Sequence, residues 1–201
     1  LGLFKKYIKI INIYDLKKQK EFITNFNKVA GWCGSVQSVF LSIIASQIEG
    51  NIAEIGTYKG KTALIFCNSA IGNEIKVFCI DSFCHNREEN IKEEFFKNIC
   101  EWGYQQMVYL YEGDSVAMAE KFEDNFFELI FVDGDHSPEG VKRDILAYYP
   151  KLKPHGLLLF HDYPTPPADN ELKSVIDMYV KNSDLFCNFG HFCGVAGAIK
   201  K

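Results

Sequence analysis

The chain has 201 residues, of which 47% are apolar, 24% charged and 14% aromatic, a composition typical of one globular domain with a large core. Its formal net charge is −4, but residues 1–20 carry six lysines against Asp15, a local charge of +5 that leaves −9 for the rest. This overall acidity argues against a nucleic-acid-binding protein. No apolar run approaches the roughly 20 residues that a membrane-spanning helix needs.

The cysteines and the first residues of the chain indicate the cellular compartment. Seven cysteines, an odd number without short paired spacing, predict reduced thiols rather than a disulfide framework. Lys5, Lys6 and Lys9 interrupt any apolar segment of a secretory signal. We therefore expect a cytoplasmic protein.

Two helical patterns come first in the chain. Residues 2–14 place apolar side chains on one face and lysines on the other, and a second pattern runs from about residue 16 to 29. We treat residues 1–30 as an N-terminal helical extension of a domain that spans residues 31–201. The apolar stripe favours docking either on this domain or on a second copy, and the second arrangement would give a homodimer; a basic membrane-surface helix is the alternative.

From residue 51 onwards, short apolar runs alternate with helical patterns. Before them, Ser35 is predicted to cap a helix that ends near Gln47. The predicted strands are 51–55, 76–80, 108–111, 128–132 and 157–161, and the predicted helices lie near 60–71, 88–101, 115–122, 138–149 and 170–181. This order predicts an α/β fold with a doubly wound, mostly parallel sheet. Two last runs, about 184–189 and 194–200, leave no room for a crossover helix and predict an antiparallel pair, giving seven strands.

The first two strands end in residues suited to a nucleoside ligand. Strand 51–55, with Glu54, runs into the turn Gly56-Thr57-Tyr58-Lys59-Gly60 and the helix near 60–71, which contains Thr62. Its glycines allow close approach to a ligand, and the helix N-terminus offers free N–H groups to an anion, although the turn matches neither the dinucleotide nor the P-loop motif. Asp81, followed by Ser82, ends the next strand, where a carboxylate can accept both hydrogen bonds of a ribose diol.

The third strand ends at Asp114 and Ser115, which are placed to contact an adenine edge or simply to cap the next helix. Together, the first three strand ends predict a pocket for adenosine with a charged tail.

The fourth and fifth strands end in a cluster of carboxylates and imidazoles. Asp133-Gly134-Asp135-His136 follows one strand and His161-Asp162-Tyr163 the other. Like charges packed together repel unless a cation or a shared proton relieves them. A divalent metal held by Asp133, Asp162 and His161 meets that need; the alternative is hydrogen bonding without a metal. Oxygen ligands favour Mg²⁺, Mn²⁺ or Ca²⁺, whereas imidazole favours a transition metal.

The order of these motifs resembles that of class I S-adenosylmethionine-dependent methyltransferases. Within that class it is similar to the metal-dependent O-methyltransferases of the catechol and macrocin type and to cephalosporin hydroxylase-like relatives, over roughly residues 31–200. The resemblance implies a Rossmann-like fold, S-adenosyl-L-methionine as cofactor and a divalent metal such as Mg²⁺. The residues it assigns to the cofactor are Glu54, Gly56, Thr57, Tyr58, Gly60, Thr62, Asp81, Ser82, Asp114, Ser115 and Asp133.

The resemblance also implies the chemistry. Asp133 would sit beside the sulfonium and bind the metal with His161 and Asp162, and His136 would take the proton of the acceptor hydroxyl. His161 stands where several metal-dependent relatives have a carboxylate, which leaves open both the identity of the metal and whether a metal is used. His155 replaces a glycine of the usual turn before the fifth strand, a change we expect to be structural.

The acceptor is expected to be a small hydroxyl compound, by the resemblance a sugar, a nucleotide-activated sugar or a polyol. Its specificity should depend on the Trp32 region, on Cys84 to Arg87 and on the loop 164–170. Arg87 could hold an anionic group and Trp32 could stack on a ring, although solvation and ordinary packing are the alternatives. Two rival functions remain: a metal-dependent hydroxylase or hydrolase on this fold, and a non-catalytic subunit that binds an adenosine ligand.

Overall fold

The computed structural model describes residues 22, 24–70, 74–84, 90–164 and 170–201. The helices with α-helical geometry are α1 (Ser35–Ala45), α2 (Lys61–Ser69), α3 (Ile91–Glu101), α4 (Ser115–Ala119), α5 (Pro138–Tyr148) and α6 (Glu171–Ile176), and α6 continues into a π-helical turn, Asp177–Lys181. The strands are β1 (Asn51–Ile55), β2 (Val77–Asp81), β3 (Val108–Glu112), β4 (Phe127–Val132), β5 (Leu152–Phe160), β6 (Phe186–Phe192) and β7 (Val195–Lys200).

The strands form one seven-stranded sheet in the order β3-β2-β1-β4-β5-β7-β6. Strands β1 to β5 are parallel to their neighbours, whereas β7 is antiparallel to both β5 and β6. The prediction of an α/β fold with an antiparallel last pair is confirmed. This strand order and these directions define the Rossmann-like fold of class I methyltransferases.

The apolar strands reflect burial on both faces of the sheet. Successive side chains of a strand point to opposite faces. Along β4, Leu129 and Phe131 join one apolar cluster, whereas Ile130 and Val132 join the other. In a strand that is covered on both sides, an apolar residue at every position is buried and stabilises the fold. These strands therefore lack the alternating pattern of a half-exposed sheet.

The chain order places a crevice beside β1. Strands β2 and β3 lie on one side of β1, and β4 and β5 lie on the other. The helix that follows β1 therefore packs on one face of the sheet and the helix that follows β4 packs on the other. Ligands of open α/β sheets bind in such a crevice, at the carboxyl ends of the strands.

Several local predictions are corrected. Gly34, not Ser35, is the N-cap residue of α1; its N–H donates to Gln37 Oε1 at 2.9 Å, and Ser35 instead donates from its hydroxyl to Asn27 Oδ1. The helix predicted at 115–122 ends at residue 119. The helix predicted at 170–181 changes to π geometry at Asp177. The strand predicted at 157–161 begins five residues earlier, at Leu152.

The two N-terminal helical patterns fall largely outside the described residues. Helix 2–14 lies wholly outside them, and of the second pattern only Phe22 and residues 24–29 are described, with Phe22 and Phe26 buried in the core. The division at residue 30 and the dimer contact thus remain predictions. None of the described helices has the length and apolarity of a membrane-spanning segment.

Candidate active site

A cavity of about 760 Å³ opens at the carboxyl ends of the parallel strands. This size lies within the usual range of small-molecule sites. The predicted site residues that line it are Glu54, Gly56, Thr57, Tyr58, Thr62, Asp81, Ser82, Asp114, Ser115, Asp133, His136, His161 and Asp162. Residues from five strand ends that are far apart in sequence thus share one cavity.

The two glycines of the first turn have different reasons for being glycine. Gly56 has a φ of 84°, and a Cβ there would lie 2.3 Å from the carbonyl oxygen of Asp133. Its absence lets the ends of β1 and β4 lie side by side. Gly60 has a φ of 80°, but it is not part of the cavity wall, and its Cβ would meet the ring of Phe95. Packing against Phe95 thus gives Gly60 its own reason to be glycine, and its role towards a ligand stays a prediction.

Glu54 forms the floor of the cavity. Its carboxylate accepts hydrogen bonds from Thr57 Oγ1 at 2.7 Å and from Cys79 Sγ at 3.6 Å. Burial raises the pKa of Glu54 to about 8, although the hydrogen bond from Thr57 opposes this. Thr57 thus contributes to the cavity by fixing the carboxyl group of Glu54 with this hydrogen bond.

Asp81 is fixed at the end of β2 by two backbone amides. Its oxygens accept from the N–H of Tyr58 and from the N–H of Phe83, each at 2.7 Å. Each carboxylate oxygen can accept a second hydrogen bond. The side chain is thus held in place with acceptor capacity left for a diol.

Asp114 and Ser115 meet a neighbouring helix at the far end of the cavity. Asp114 caps α4 by accepting from Ala117 N at 3.1 Å, and it pairs with Arg143 at 3.3 Å. Ser115 donates its hydroxyl hydrogen bond to Asp144, a buried residue. The expectation that Asp114 caps a helix is therefore confirmed, and Asp114 also lines the cavity. Its contact with an adenine edge stays a prediction.

His136 lies between two carboxylates at the ends of β4 and β5. Its Nε2 is 3.3 Å from Asp133 Oδ1, and its Nδ1 is 3.5 Å from Asp162 Oδ2. The hydrogen bond to Asp133 raises the pKa of His136, although burial opposes it and both carboxylates add to it. Asp162 has a φ of 55°, an uncommon backbone conformation outside glycine.

His161 lies beneath the same pair of carboxylates. Its Nδ1 is 3.1 Å from Asp133 Oδ1 and 3.1 Å from Asp162 Oδ1, whereas its buried Nε2 has no hydrogen-bond partner. Burial lowers the pKa of His161, but the two hydrogen bonds and the two negative charges outweigh it and raise the pKa to about 10. The His161 ring thus links Asp133 at the end of β4 to Asp162 at the end of β5 by hydrogen bonds and charge.

The donor set fits a divalent cation. Ligand atoms of Asp133, His136 and Asp162 all lie within 4.8 Å of one another. The predicted set contained His161 in place of His136. By distance His136 groups with the two carboxylates, and the Nδ1 of His161 lies 3.1 Å from an oxygen of each of them. The choice of imidazole that would complete the set stays a prediction.

The remaining part of the cavity fits a nucleoside with a charged tail. It offers a fixed carboxylate at Asp81, polar side chains at Asp114 and Ser115, and the N-terminus of α2, which no side chain caps. Such a helix N-terminus attracts anionic groups.

Sequence reasoning missed several residues of the cavity wall. They include Cys33, Lys61, Arg143 and Asp144. Trp32, which is expected from the sequence to help set specificity, lies at the edge of the cavity and is 71% exposed. Trp32 contacts the ring of Tyr58, with centroids 4.8 Å apart. Residues 85–87 and 165–169, expected to set specificity, lie outside the described residues.

The fold and this site define a class I methyltransferase. A family model described as "Methyltransferase domain" matches residues 53–163, more than half of the chain. The chain therefore belongs to this methyltransferase family.

The chain is also similar to two uncharacterized proteins. The chain is 27% identical over 116 residues to an uncharacterized protein of Sinorhizobium fredii and 32% identical over 114 residues to one of Acanthamoeba polyphaga mimivirus. Each match takes in 55% of this chain, but it spans only 13% of the first relative and 50% of the second.

Solved structures show the same fold at low identity. A Podospora anserina methyltransferase bound to SAH has a TM-score of 0.71 at 15% identity, covering 96% of this chain and 98% of its own. An O-methyltransferase of Bacillus cereus in complex with SAH has a TM-score of 0.63 at 15% identity, covering 99% and 96%.

Proposed function

We propose that this protein transfers a methyl group from S-adenosylmethionine to a hydroxyl group of a small molecule, with His136 as the general base. The observation that carries the proposal is the shared cavity: the Asp133–His136–Asp162 cluster lines the same space as the nucleoside-type site at Gly56 and Asp81. The SAH-bound structures of the same fold support the choice of cofactor.

The cofactor would supply an electrophilic methyl group on a positively charged sulfur. Asp81 would accept hydrogen bonds from the ribose diol, with Asp114 and Ser115 at the adenine. Asp133 stands between this region and the catalytic imidazole. Holding both reactants in line within one cavity can lower a barrier by roughly 7–11 kcal/mol.

The acceptor oxygen becomes a good nucleophile when it loses its proton. His136 is half-exposed on the cavity wall, so a hydroxyl can reach its ring. The carboxylates of Asp133 and Asp162 orient that ring and stabilise the imidazolium that forms when it takes the proton. The cluster thus has the parts of a general base with two orienting groups.

A divalent ion is the second part of the proposal. Asp133 and Asp162 would hold it, with an imidazole of His161 or His136 completing the set. Such an ion lowers the pKa of a bound hydroxyl. If His136 binds the ion, it is not free to act as the base, so the metal requirement and the role of His136 are tested together.

The acceptor is proposed to be a sugar, a nucleotide-activated sugar or a polyol, as the resemblance implies. Trp32 and Tyr58 offer an aromatic surface at the edge of the cavity, where an acceptor would enter. The location of this protein and a dimer through its N-terminal residues remain predictions.

The test is release of S-adenosylhomocysteine from S-adenosylmethionine with a panel of hydroxyl acceptors, in the presence of Mg²⁺, Mn²⁺ or a chelator. His136→Ala is expected to lower turnover about 100- to 10,000-fold, the usual contribution of a general base, while cofactor affinity stays nearly unchanged. His155→Asn is the control, because His155 lies at the opposite end of the sheet, near the start of β5. Equal loss of turnover and cofactor affinity in His136→Ala would assign this residue a structural role, and oxygen consumption without methyl transfer would favour a hydroxylase.

A further inference from the structure

Asp162 has a backbone conformation that its neighbours must hold. Its φ of 55° lies in the left-handed region, which costs free energy in residues other than glycine and persists where the surrounding structure enforces it. The residue before it is fixed to β4, because the N–H of His161 donates to the carbonyl oxygen of Val132 at 3.0 Å. The residue after it is fixed to the turn between β6 and β7, because the N–H of Tyr163 donates to the carbonyl oxygen of Gly194 at 2.8 Å.

The side chain of Tyr163 is anchored to α6 and β6. The residue is only 3% exposed, and its hydroxyl donates to Asp177 Oδ1 at 2.7 Å. The centroid of its ring lies 5.7 Å from that of Phe189 and 5.3 Å from that of His191, both on β6. The hydrogen bond to Asp177 thus fixes the direction of the ring, and with it the backbone that carries Asp162.

Asp177 is itself held by several side chains at the point where α6 changes to π geometry. Besides the hydroxyl of Tyr163, Lys173 Nζ lies 2.7 Å and Lys181 Nζ 3.6 Å from Asp177 Oδ2. Single π-helical turns occur frequently at functional sites. Here the π-helical turn carries the carboxylate that receives the hydrogen bond from Tyr163.

Tyr163 and Asp177 lie behind the cavity wall. Neither is among the described residues that line the cavity. A change in either side chain therefore reaches a bound ligand only through another residue. Asp162 is that residue, since it precedes Tyr163 in the chain, lines the cavity and places its Oδ2 3.5 Å from Nδ1 of His136.

We propose that Tyr163 and Asp177 are positioning residues, whose hydrogen bond holds Asp162 in its left-handed conformation and thereby keeps its carboxylate against the ring of His136. The inference rests on the proposed function, in which His136 is the base and Asp162 orients it. It gives Tyr163 and Asp177 no contact with the cofactor or the acceptor.

Crystal structures of the unmodified protein and of Tyr163→Phe, each with S-adenosylhomocysteine, test the position of Asp162. This substitution removes the hydroxyl and retains the ring. We expect Asp162 to leave its left-handed conformation and its Oδ2 to move about 1 Å away from His136, a displacement that can lower a rate about 100-fold. Methyl transfer to an acceptor from the panel should accordingly fall about 10- to 100-fold in kcat. The affinity for S-adenosylhomocysteine, measured by calorimetry, should stay unchanged.

A matched control separates positioning from stability. Tyr104→Phe removes a hydroxyl that donates to Asn68 Oδ1 at 3.3 Å, from a residue that is 8% exposed and lies outside the cavity wall. It should lower the unfolding temperature to a similar extent as Tyr163→Phe. Unlike Tyr163→Phe, it should leave kcat and the conformation of Asp162 unchanged.

Variants of Asp177 test the same hydrogen bond from its other end. Asp177→Asn keeps an amide that can still hydrogen-bond to the hydroxyl of Tyr163, and it should retain most of kcat. Asp177→Leu removes the acceptor and should reproduce the effects of Tyr163→Phe. The losses in kcat of Tyr163→Phe and Asp177→Leu should not add in the double variant, because both remove one interaction.

The outcomes distinguish this inference from the proposed function. An unchanged Asp162 in Tyr163→Phe and Asp177→Leu, or a loss of kcat no larger than that of Tyr104→Phe, would overturn the inference and leave the proposed function standing. Equal losses of kcat and cofactor affinity would assign Tyr163 to packing and would also overturn the inference. Absence of S-adenosylhomocysteine from the cavity of the unmodified protein would overturn the proposed function and the inference with it. If Tyr163→Phe does not fold, Asp177→Leu provides the same measurements.

Discussion

Asp144 is a buried carboxyl group whose ionisation should oppose folding. Only 2% of the residue is exposed, and its carboxylate accepts a hydrogen bond from the hydroxyl of Ser115. Burial raises its pKa from 3.8 to about 6, although Ser115 and Arg143 partly offset the burial. The group therefore binds its proton more tightly in the folded protein than in the unfolded chain.

The sign and size of the effect follow from this difference. A folded pKa above the unfolded one stabilises the fold at low pH, and that stabilisation is lost as the pH rises from about 4 through 6. The interval from 3.8 to about 6 corresponds to about 3 kcal/mol, at 1.36 kcal/mol for each pKa unit. Asp144→Asn cannot ionise, and its amide oxygen can still accept from Ser115. We expect it to raise the free energy of unfolding by about 3 kcal/mol at pH 8 and by about half as much at pH 5.

Urea unfolding of the ligand-free protein at these two pH values measures the effect. The control is Asp124→Asn, because Asp124 is exposed and pairs with Lys151 at 2.8 Å. Loss of such a surface pair should cost at most about 1 kcal/mol. A change in Asp144→Asn that is equal at both pH values, or a loss of stability at pH 8, would refute the reasoning.

Two other substitutions test the cavity. Gly56→Ala should destabilise the protein by several kcal/mol and abolish S-adenosylhomocysteine binding, because its Cβ would lie within 2.5 Å of Asp133 backbone atoms. Gly103→Ala is the matched control in thermal unfolding: its φ of 77° is similar, but the space around it is open, so a cost of only about 1–2 kcal/mol is expected. Similar losses in both variants would contradict the close approach of β1 and β4. Trp32→Ala should raise the acceptor KM several-fold without changing the unfolding temperature, since Trp32 is largely exposed; a lowered unfolding temperature with unchanged KM would instead assign Trp32 to packing.

The sheet could be predicted because its strands are buried on both faces. Runs such as 128–132 are apolar at nearly every position, and the helices between them have the length that parallel connections need. Parallel strands bring their carboxyl ends to one edge, so the sequence was enough to place Asp81, Asp133 and Asp162 around one cavity.

Features that depend on packing between helices could not be predicted in this way. Lys61 and Asp144 lie on helices, and whether they face the cavity depends on how α2 and α5 pack against the sheet. The reason for a glycine at position 60 is the ring of Phe95, 35 residues later in the chain. Helix α1 begins after Gly34, whose own N–H donates to the side chain of Gln37, and no hydroxyl caps its first turn as was expected of Ser35. The sequence also gives no means of telling apart two histidines that lie beside the same carboxylates. Only the structure shows that His161 is buried and His136 is half-exposed.

A crystal structure of the protein with S-adenosylhomocysteine bears most directly on the cavity as a cofactor site. The nucleoside should lie in the cavity with its ribose hydroxyls on Asp81 and its sulfur directed towards Asp133 and His136. A nucleoside bound on another face of the sheet, or a sulfur directed away from His136, would contradict the proposed reaction.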